Sequence, residues 1–398
     1  MRPENAIVQL AELAVGLGAN VQSGQIVAVT AEVGQEEFAR VLTETAYRHG
    51  ASFVDVSYWD PHVKRARIAH AADDTLEFVP PWYGERILAL GEHRCATIAV
   101  AGTTAPGLLN DLDPRRAGCD QLPRVRESAL VLADRTTNWT IIPFPTAAWA
   151  QQVHPELGDK ALERLWEEVV HICRLDEPDP VAAWEERFAV TGEAAARLTE
   201  LQLDALRLEG PGTDLTIGLL PTSRWWNARF TTVDGIEHTP NIPSEEVFTS
   251  PDRTRADGVV RSTKPLVLGG TLIRGLEVRF EGGRAVDVSA EEGGETMEVR
   301  VAYDEGASRL GEVALVDREG RIGKTGTTFF DTLIDENAAS HLALGFGFPF
   351  AVAGDDVERV NRSGTHIDFM VGSADVRVTG ITREGGELPV LVDGAWQI

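Results

Sequence analysis

The residues most able to do chemistry in this chain lie close together near its C-terminus, in Asp335-Glu336-Asn337-Ala338-Ala339-Ser340-His341 and Gly364-Thr365-His366-Ile367-Asp368-Phe369. Two imidazoles and several carboxylates in mostly apolar surroundings form a donor set suited to zinc, manganese, cobalt or iron. A carboxylate held in an apolar pocket is costly unless a cation faces it. His366 and Asp368 are two residues apart, so a β-strand aims both side chains at one face. His341 falls in a stretch with helical spacing, where Leu342, Gly345 and Phe346 alternate with Glu336, Asn337 and Ser340. A helix beside a strand would then converge on one ion. The plainer alternative is that each His is a hydrogen-bonded core residue, the usual state of a buried polar group. The proximity of three such groups keeps both readings in play.

More carboxylates precede them. Under β alternation Glu312, in Leu310-Gly311-Glu312-Val313-Ala314-Leu315-Val316, sits opposite Val313 and Leu315 and shares a face with Ala314 and Val316, which buries it. It is then either a metal ligand or the partner of a cation such as Arg309, since pairing is the usual escape from desolvation. Glu245 and Glu246 stand side by side in Asn241-Ile242-Pro243-Ser244-Glu245-Glu246-Val247-Phe248-Thr249.

The elements that must position these groups follow from apolar periodicity. The first part of the chain alternates: a helix from Ala6 to Leu17 stopped by Gly18 and Asn20, a buried strand Gln25–Thr30, a helix Glu36–His49 closed by Gly50, and a strand Ser52–Ser57. A helix Trp82–Leu90, a strand Ala96–Ala101, a helix Leu122–Ala133 and a strand Thr140–Pro143 continue the cycle. This alternation predicts an α/β layered domain with a mostly parallel sheet. Gly16-Leu17-Gly18 follows a helix and precedes a strand, the reverse of a dinucleotide loop, and reads as a helix stop. Asp176-Glu177-Pro178-Asp179-Pro180 reads as a linker, which divides the chain into domains 1–180 and 181–398. Beyond it the pattern predicts a helix over Val181–Leu208. Short strands then follow at Asp214–Leu219, Leu266–Ile273, Leu276–Phe280, Ala285–Ser289, Met297–Val301 and Glu312–Val316, many turning at paired glycines. A helix Asn337–Gly345, a strand His366–Val371 and a hairpin at Gly385-Gly386 complete a mixed α+β domain with a partly barrel-like antiparallel sheet that carries the metal site.

Composition narrows the function. The chain has 398 residues, 43% hydrophobic and 25% charged, as in soluble globular proteins. Its net charge of −25 repels phosphate backbones and anionic lipid, so neither nucleic acid nor membrane is an expected partner. No apolar run approaches the roughly 20 residues needed to span a bilayer, and the N-terminal segment, with Glu4 and Glu12 inside an amphipathic pattern, is unlike a secretory signal. Cys95, Cys119 and Cys173 are odd in number and widely spaced, which indicates neither a disulfide framework nor a thiolate metal site. A cytoplasmic location is the expectation.

The motifs NIPSEEVFTSP, RLGEVALVD, DENAASHLALG and THIDFMVGS, in this order, resemble those of the aminopeptidase T and aminopeptidase S family of dinuclear metallopeptidases. GTDLTIGL and NWTIIPFPTAAWA fit the same family, so the likeness runs nearly the whole length. It implies a cytoplasmic, homodimeric aminopeptidase that removes N-terminal amino acids from peptides with a free N-terminus, using two divalent ions of zinc, cobalt, manganese or magnesium. By the same resemblance Glu246, Glu312, His341, His366 and Asp368 fall on metal-ligand positions. Glu312 becomes the candidate bridging carboxylate and Glu336 the candidate general base or a group behind the ligands. Glu245 falls beside the ligand slot, either supporting it or facing solvent. The chemistry is coherent: a divalent ion lowers the pKa of bound water from about 15.7 to about 7, and a pair grips both an α-amine and a scissile carbonyl. A single catalytic zinc needs only about three protein ligands, fewer than are available here.

One position departs from the pattern. The family places a tyrosine seven residues after the metal-binding His, where this chain has Phe348, which keeps the ring and loses the hydroxyl donor. Two other readings follow from these residues. His341, His366 and Asp368 alone form a two-His, one-carboxylate set like that of single-iron oxygenases, and some ring-cleaving dioxygenases look like distant relatives of the family. Phe348 also admits a metal-binding homologue without catalysis. Trp149, Trp225, Trp226 and Phe230 are candidates for a side-chain pocket, although such aromatics more often belong to the core.

Overall fold

A computed structural model describes residues 3–120, 122 and 126–398. The chain forms two compact units, neither of them one continuous stretch. The first holds Met1–Asp111, Gln121–Phe188 and Ala228–Ser244; the second holds Leu112–Asp120, Ala189–Asn227 and Glu245–Ile398.

The first unit is built on a four-stranded parallel sheet in the order Phe53–Trp59, Ile26–Glu32, Ala96–Ala101, Asn138–Pro143. Parallel neighbours require crossovers, and helices Glu36–Arg48 and Pro81–Glu92 supply two of them. Val27, Val29, Ile98 and Ile142 are fully buried in this sheet, and Phe38 stacks on Phe144 with centroids 4.9 Å apart. Helix Pro3–Leu13 runs into a π-turn over Ala14–Gly18. A Cβ on Gly18 would meet the Thr140 side chain at 2.8 Å, so the glycine both ends the helix and lets it sit on the sheet.

The second unit consists of antiparallel sheets. One has eight strands, in the order Arg284–Ser289, Glu277–Glu281, Pro251–Arg261, Thr213–Leu219, Ala205–Gly210, Arg377–Ile381, Glu387–Val392, Ala395–Trp396. Another has five, in the order His366–Met370, His341–Gly345, Leu310–Val316, Glu246–Thr249, Trp226–Asn227. One apolar cluster joins them: Leu206, Leu215, Ile217 and Val278 from the larger sheet pack with Val247, Val313, Leu315, Leu342, Leu344, Ile367 and Phe369 from the smaller. Two sheets sharing a core in this way each keep one face for it.

The structure corrects four expectations. Val181–Leu208 is not one helix: helix Pro180–Leu201 ends at Gln202, whose φ is +45°, and Ala205–Gly210 is a strand in which Leu206 and Leu208 alternate with Arg207 and Glu209. Met297–Val301 belongs to helix Gly294–Val301, which buries Met297 and Arg300, three residues apart on one helical face. The helix expected over Asn337–Gly345 is a short helix, Thr332–Glu336, followed by the strand His341–Gly345, every residue of which is buried. The helix expected over Leu122–Ala133 runs from Glu127 to Asp134; residues 121 and 123–125 lie outside those described. Among the described residues no helix is long and apolar enough to cross a membrane.

Candidate metal centre

Strand register decides which side chains meet. In the five-stranded sheet Glu246 pairs with Val316, Phe248 with Ala314, Ala314 with His341, and Glu312 with Ala343. Ala343 pairs in turn with Asp368, and Gly345 with His366. Directly paired residues share a face and neighbours along a strand do not. Glu246, Glu312, His341, His366 and Asp368 therefore emerge on one face, while Val247, Val313, Leu315, Leu342, Leu344, Ile367 and Phe369 fill the core on the other. Ala314, Ala343 and Gly345 form a floor of small residues between the five and leave room above it.

The five side chains gather into two groups. Ligand atoms of Glu246, Glu312 and His341 lie within 4.8 Å of one another, as do those of Glu312, His366 and Asp368. Glu312 belongs to both. His341 Nε2 is 3.0 Å from Glu246 Oε2, and His366 Nε2 is 3.2 Å from both Glu312 Oε2 and Asp368 Oδ1.

The far side of each imidazole is equally defined. His341 Nδ1–H donates to the Glu336 carbonyl at 2.8 Å, and His366 Nδ1–H donates to the Phe346 carbonyl at 2.8 Å. A carbonyl only accepts, so each Nδ1 carries a proton and Nε2 is the ring atom turned toward the carboxylates. Each Nε2 faces carboxylate oxygens at 3.0–3.2 Å, either as a protonated donor to them or as a lone pair turned with them toward one cation. That donor set, with ring orientation set from behind by backbone carbonyls, fits divalent metal.

The electrostatics agree. Burial pushes the Glu312 carboxyl above its ordinary range, with Glu246 and Asp368 adding repulsion against the relief given by His366. Glu336 is raised well above the usual carboxylate range, first by burial and then by Asp368, with Glu246 and Glu312 contributing. Burial alone would discharge the imidazoles, yet contact with Glu246 carries His341 up to about 10, and Asp368 and Glu312 carry His366 well above its usual value. Four carboxyls, those of Glu246, Glu312, Glu336 and Asp368, thus share the buried centre with two imidazoles.

Glu336 lies at the end of helix Thr332–Glu336, buried and within electrostatic reach of both groups but outside the two clusters of mutually close ligand atoms. Arg309 is not the partner of Glu312: its guanidinium donates to the Arg253 carbonyl, and His366 faces Glu312 instead. Glu245 does not face solvent. It is 1% exposed, its N–H donates to Asn337 Oδ1 at 2.8 Å, and its carboxylate accepts from the Arg321 N–H at 3.2 Å. Sequence reasoning missed the carbonyls of Glu336 and Phe346 and the alanine–glycine floor. The run of small residues at alternate positions, Ala343 and Gly345, was the one available signal for the floor.

Paired carboxylate–imidazole groups around a shared glutamate, on a sheet face backed by core, mark a candidate divalent-metal centre. The chain belongs to the thermophilic metalloprotease (M29) family, whose profile matches residues 4–396. Aminopeptidase T of Thermus aquaticus is 42% identical over 400 residues, covering 98% of each chain. Aminopeptidase 2 of Geobacillus stearothermophilus is 36% identical over 408 residues, covering 99% of this chain and 98% of its own. A solved structure described as wild-type AmpT from Thermus thermophilus superposes with a TM-score of 0.87 at 40% identity, covering 99% of this chain and 100% of that one. These relatives are aminopeptidases by name, not ring-cleaving oxygenases. The protein is a metal-dependent hydrolase of the exopeptidase class.

Proposed function

We propose that the protein is a dinuclear aminopeptidase that hydrolyses the N-terminal residue from peptides with a free amino group. The observation that carries the reading is Glu312, common to both ligand groups. Glu246, Glu312 and His341 would hold one ion and Glu312, His366 and Asp368 the other, with Glu312 common to both groups. Divalent ions bound there supply an acidified water as nucleophile and Lewis-acid polarisation of the scissile carbonyl. To Glu336, buried and with its carboxyl raised by that burial, the proposal assigns the general base that takes and returns a proton. The family implies divalent metal, and among zinc, cobalt, manganese and magnesium cellular supply selects within the Irving–Williams order.

A cytoplasmic homodimer completes the proposal, with catalysis assigned to residues 181–398, which contain all six candidate residues. The test is elemental analysis of protein purified without added metal, together with digestion of short peptides in free and N-acetylated form. Two ions per chain and release of free amino acids from the unblocked peptides alone are expected. One iron per chain with oxygen uptake, or equal cleavage of the blocked peptides, would overturn the reading.

A further inference from the structure

The sheet face that carries the candidate ligands does not end with them. Glu246 and Phe248 are two residues apart on one strand and so share that face, and Phe248 pairs across the sheet with Trp226. The segment after strand His341–Gly345 folds back over this aromatic end. Phe348 meets Phe248 at 5.1 Å between centroids, Phe346 at 5.7 Å and Phe350 at 5.4 Å, and Phe350 meets Trp226 at 5.4 Å. The wall touches the centre directly, since the Phe348 ring lies 5.6 Å from the His366 imidazole. Ser250 holds Phe348 in place, its Oγ accepting from the Phe348 N–H at 2.7 Å.

Phe248 is buried, whereas Trp226, Phe346, Phe348 and Phe350 remain partly exposed. Apolar rings left partly open beside a buried polar cluster mark a place where an apolar group is meant to land. The only side-chain polar atom these five residues possess, Trp226 Nε1, is buried and finds no acceptor, so the wall presents carbon to a ligand. We infer that this wall receives the side chain of the substrate's N-terminal residue and makes the enzyme selective for apolar and aromatic termini. The inference rests on the aminopeptidase reading above. There the α-amine and scissile carbonyl are both held at the ions, which leaves the side chain on the carbon between them within reach of the surface next to His366. None of the five wall residues carries a charge, so acidic and basic side chains lose hydration there without a pairing partner from the wall.

The test uses amino acid hydroxamates, which chelate metal without being turned over, titrated calorimetrically into metal-loaded full-length protein. Leucine and phenylalanine hydroxamates are expected to bind at least about tenfold tighter than glycine hydroxamate, from burial of the side chain alone. Aspartate and lysine hydroxamates are expected to bind no tighter than glycine's. In Phe350→Ala the leucine-to-glycine ratio falls toward one at unchanged metal content, and Phe350→Leu restores most of it. Equal binding of glycine and leucine hydroxamates to metal-loaded wild type, or tighter binding of lysine's, overturns the selectivity while leaving the metal reading intact. Failure of the protein to take up metal overturns the aminopeptidase reading itself, and this inference with it.

Discussion

Glu312 is the residue on which both halves of the centre depend, because its carboxylate is common to the two ligand groups. Glu312→Gln keeps the shape and removes the charge, so metal is expected to be lost from both positions. The fall in affinity should exceed the roughly 10–100-fold that follows loss of a group hydrogen-bonded behind a ligand. Glu246→Gln should empty one position only, and elemental analysis of the two variants distinguishes a shared ligand from an ordinary one. Glu336→Gln tests a different role. As general base its loss should lower kcat by about 10²–10⁴-fold with metal content unchanged; loss of metal would make it a ligand instead. Phe348 stands where the family's pattern has tyrosine, and Phe348→Tyr returns a hydroxyl. If a phenol hydroxyl assists the reaction, kcat should rise by up to about 10²–10³-fold, the range measured for one oxyanion donor. Unchanged turnover at unchanged metal content would show that this enzyme has no use for it.

At the scale of elements, the candidate centre depends on alternation in four adjacent strands, and alternation explains what was legible beforehand. Glu312 was placed on the correct face because Val313 and Leu315 mark the other one, and the spacing of His366 and Asp368 reads as a strand by itself. His341 was not legible. All five residues of His341–Gly345 are buried on both faces, so the strand shows no polar alternation, and an apolar run of that kind is indistinguishable from a buried helix by period. The carbonyl contacts behind the imidazoles were beyond local reading, since that of His366 to Phe346 exists only through the pairing of two strands. The two faces predict opposite outcomes for adjacent residues. Ala343→Leu pushes a side chain up from the floor between Glu312 and Asp368. It is expected to abolish metal binding at a cost in stability of about 1–3 kcal/mol. Leu344→Ala hollows the core on the other face and is expected to cost about 2–5 kcal/mol while keeping metal stoichiometry. Denaturant melts and metal analysis on the same samples check both, and a Leu344→Ala protein that folds but binds no metal would sink the assignment of faces.

Across the whole molecule the carboxylates dominate, 62 acidic against 37 basic residues, yet one clear pH-dependent contribution in the first unit comes from a histidine. His238 is 4% exposed and packed beside Trp139 and Phe230, with ring centroids 6.4 Å and 6.0 Å away. Burial lowers its pKa from 6.5 to about 4, and the Ile236 backbone offsets only part of that. Between those two values the unfolded chain binds a proton that the folded chain refuses, so stability rises with pH in this window. His238 costs the fold nothing above pH 6.5, and its destabilisation grows as pH falls, reaching about 3 kcal/mol near pH 4. Other groups titrate over the same range, so the useful quantity is a difference between proteins. His238→Phe keeps an aromatic ring in the Trp139–Phe230 setting and removes the titrating group. Its melting temperature, followed from pH 7.5 down to pH 4.5, should fall less steeply than that of wild type, with the two curves parallel above pH 7. Curves that stay parallel throughout the acid range would mean that His238 accepts its proton in the folded state, and that the aromatic contacts do not hold it neutral.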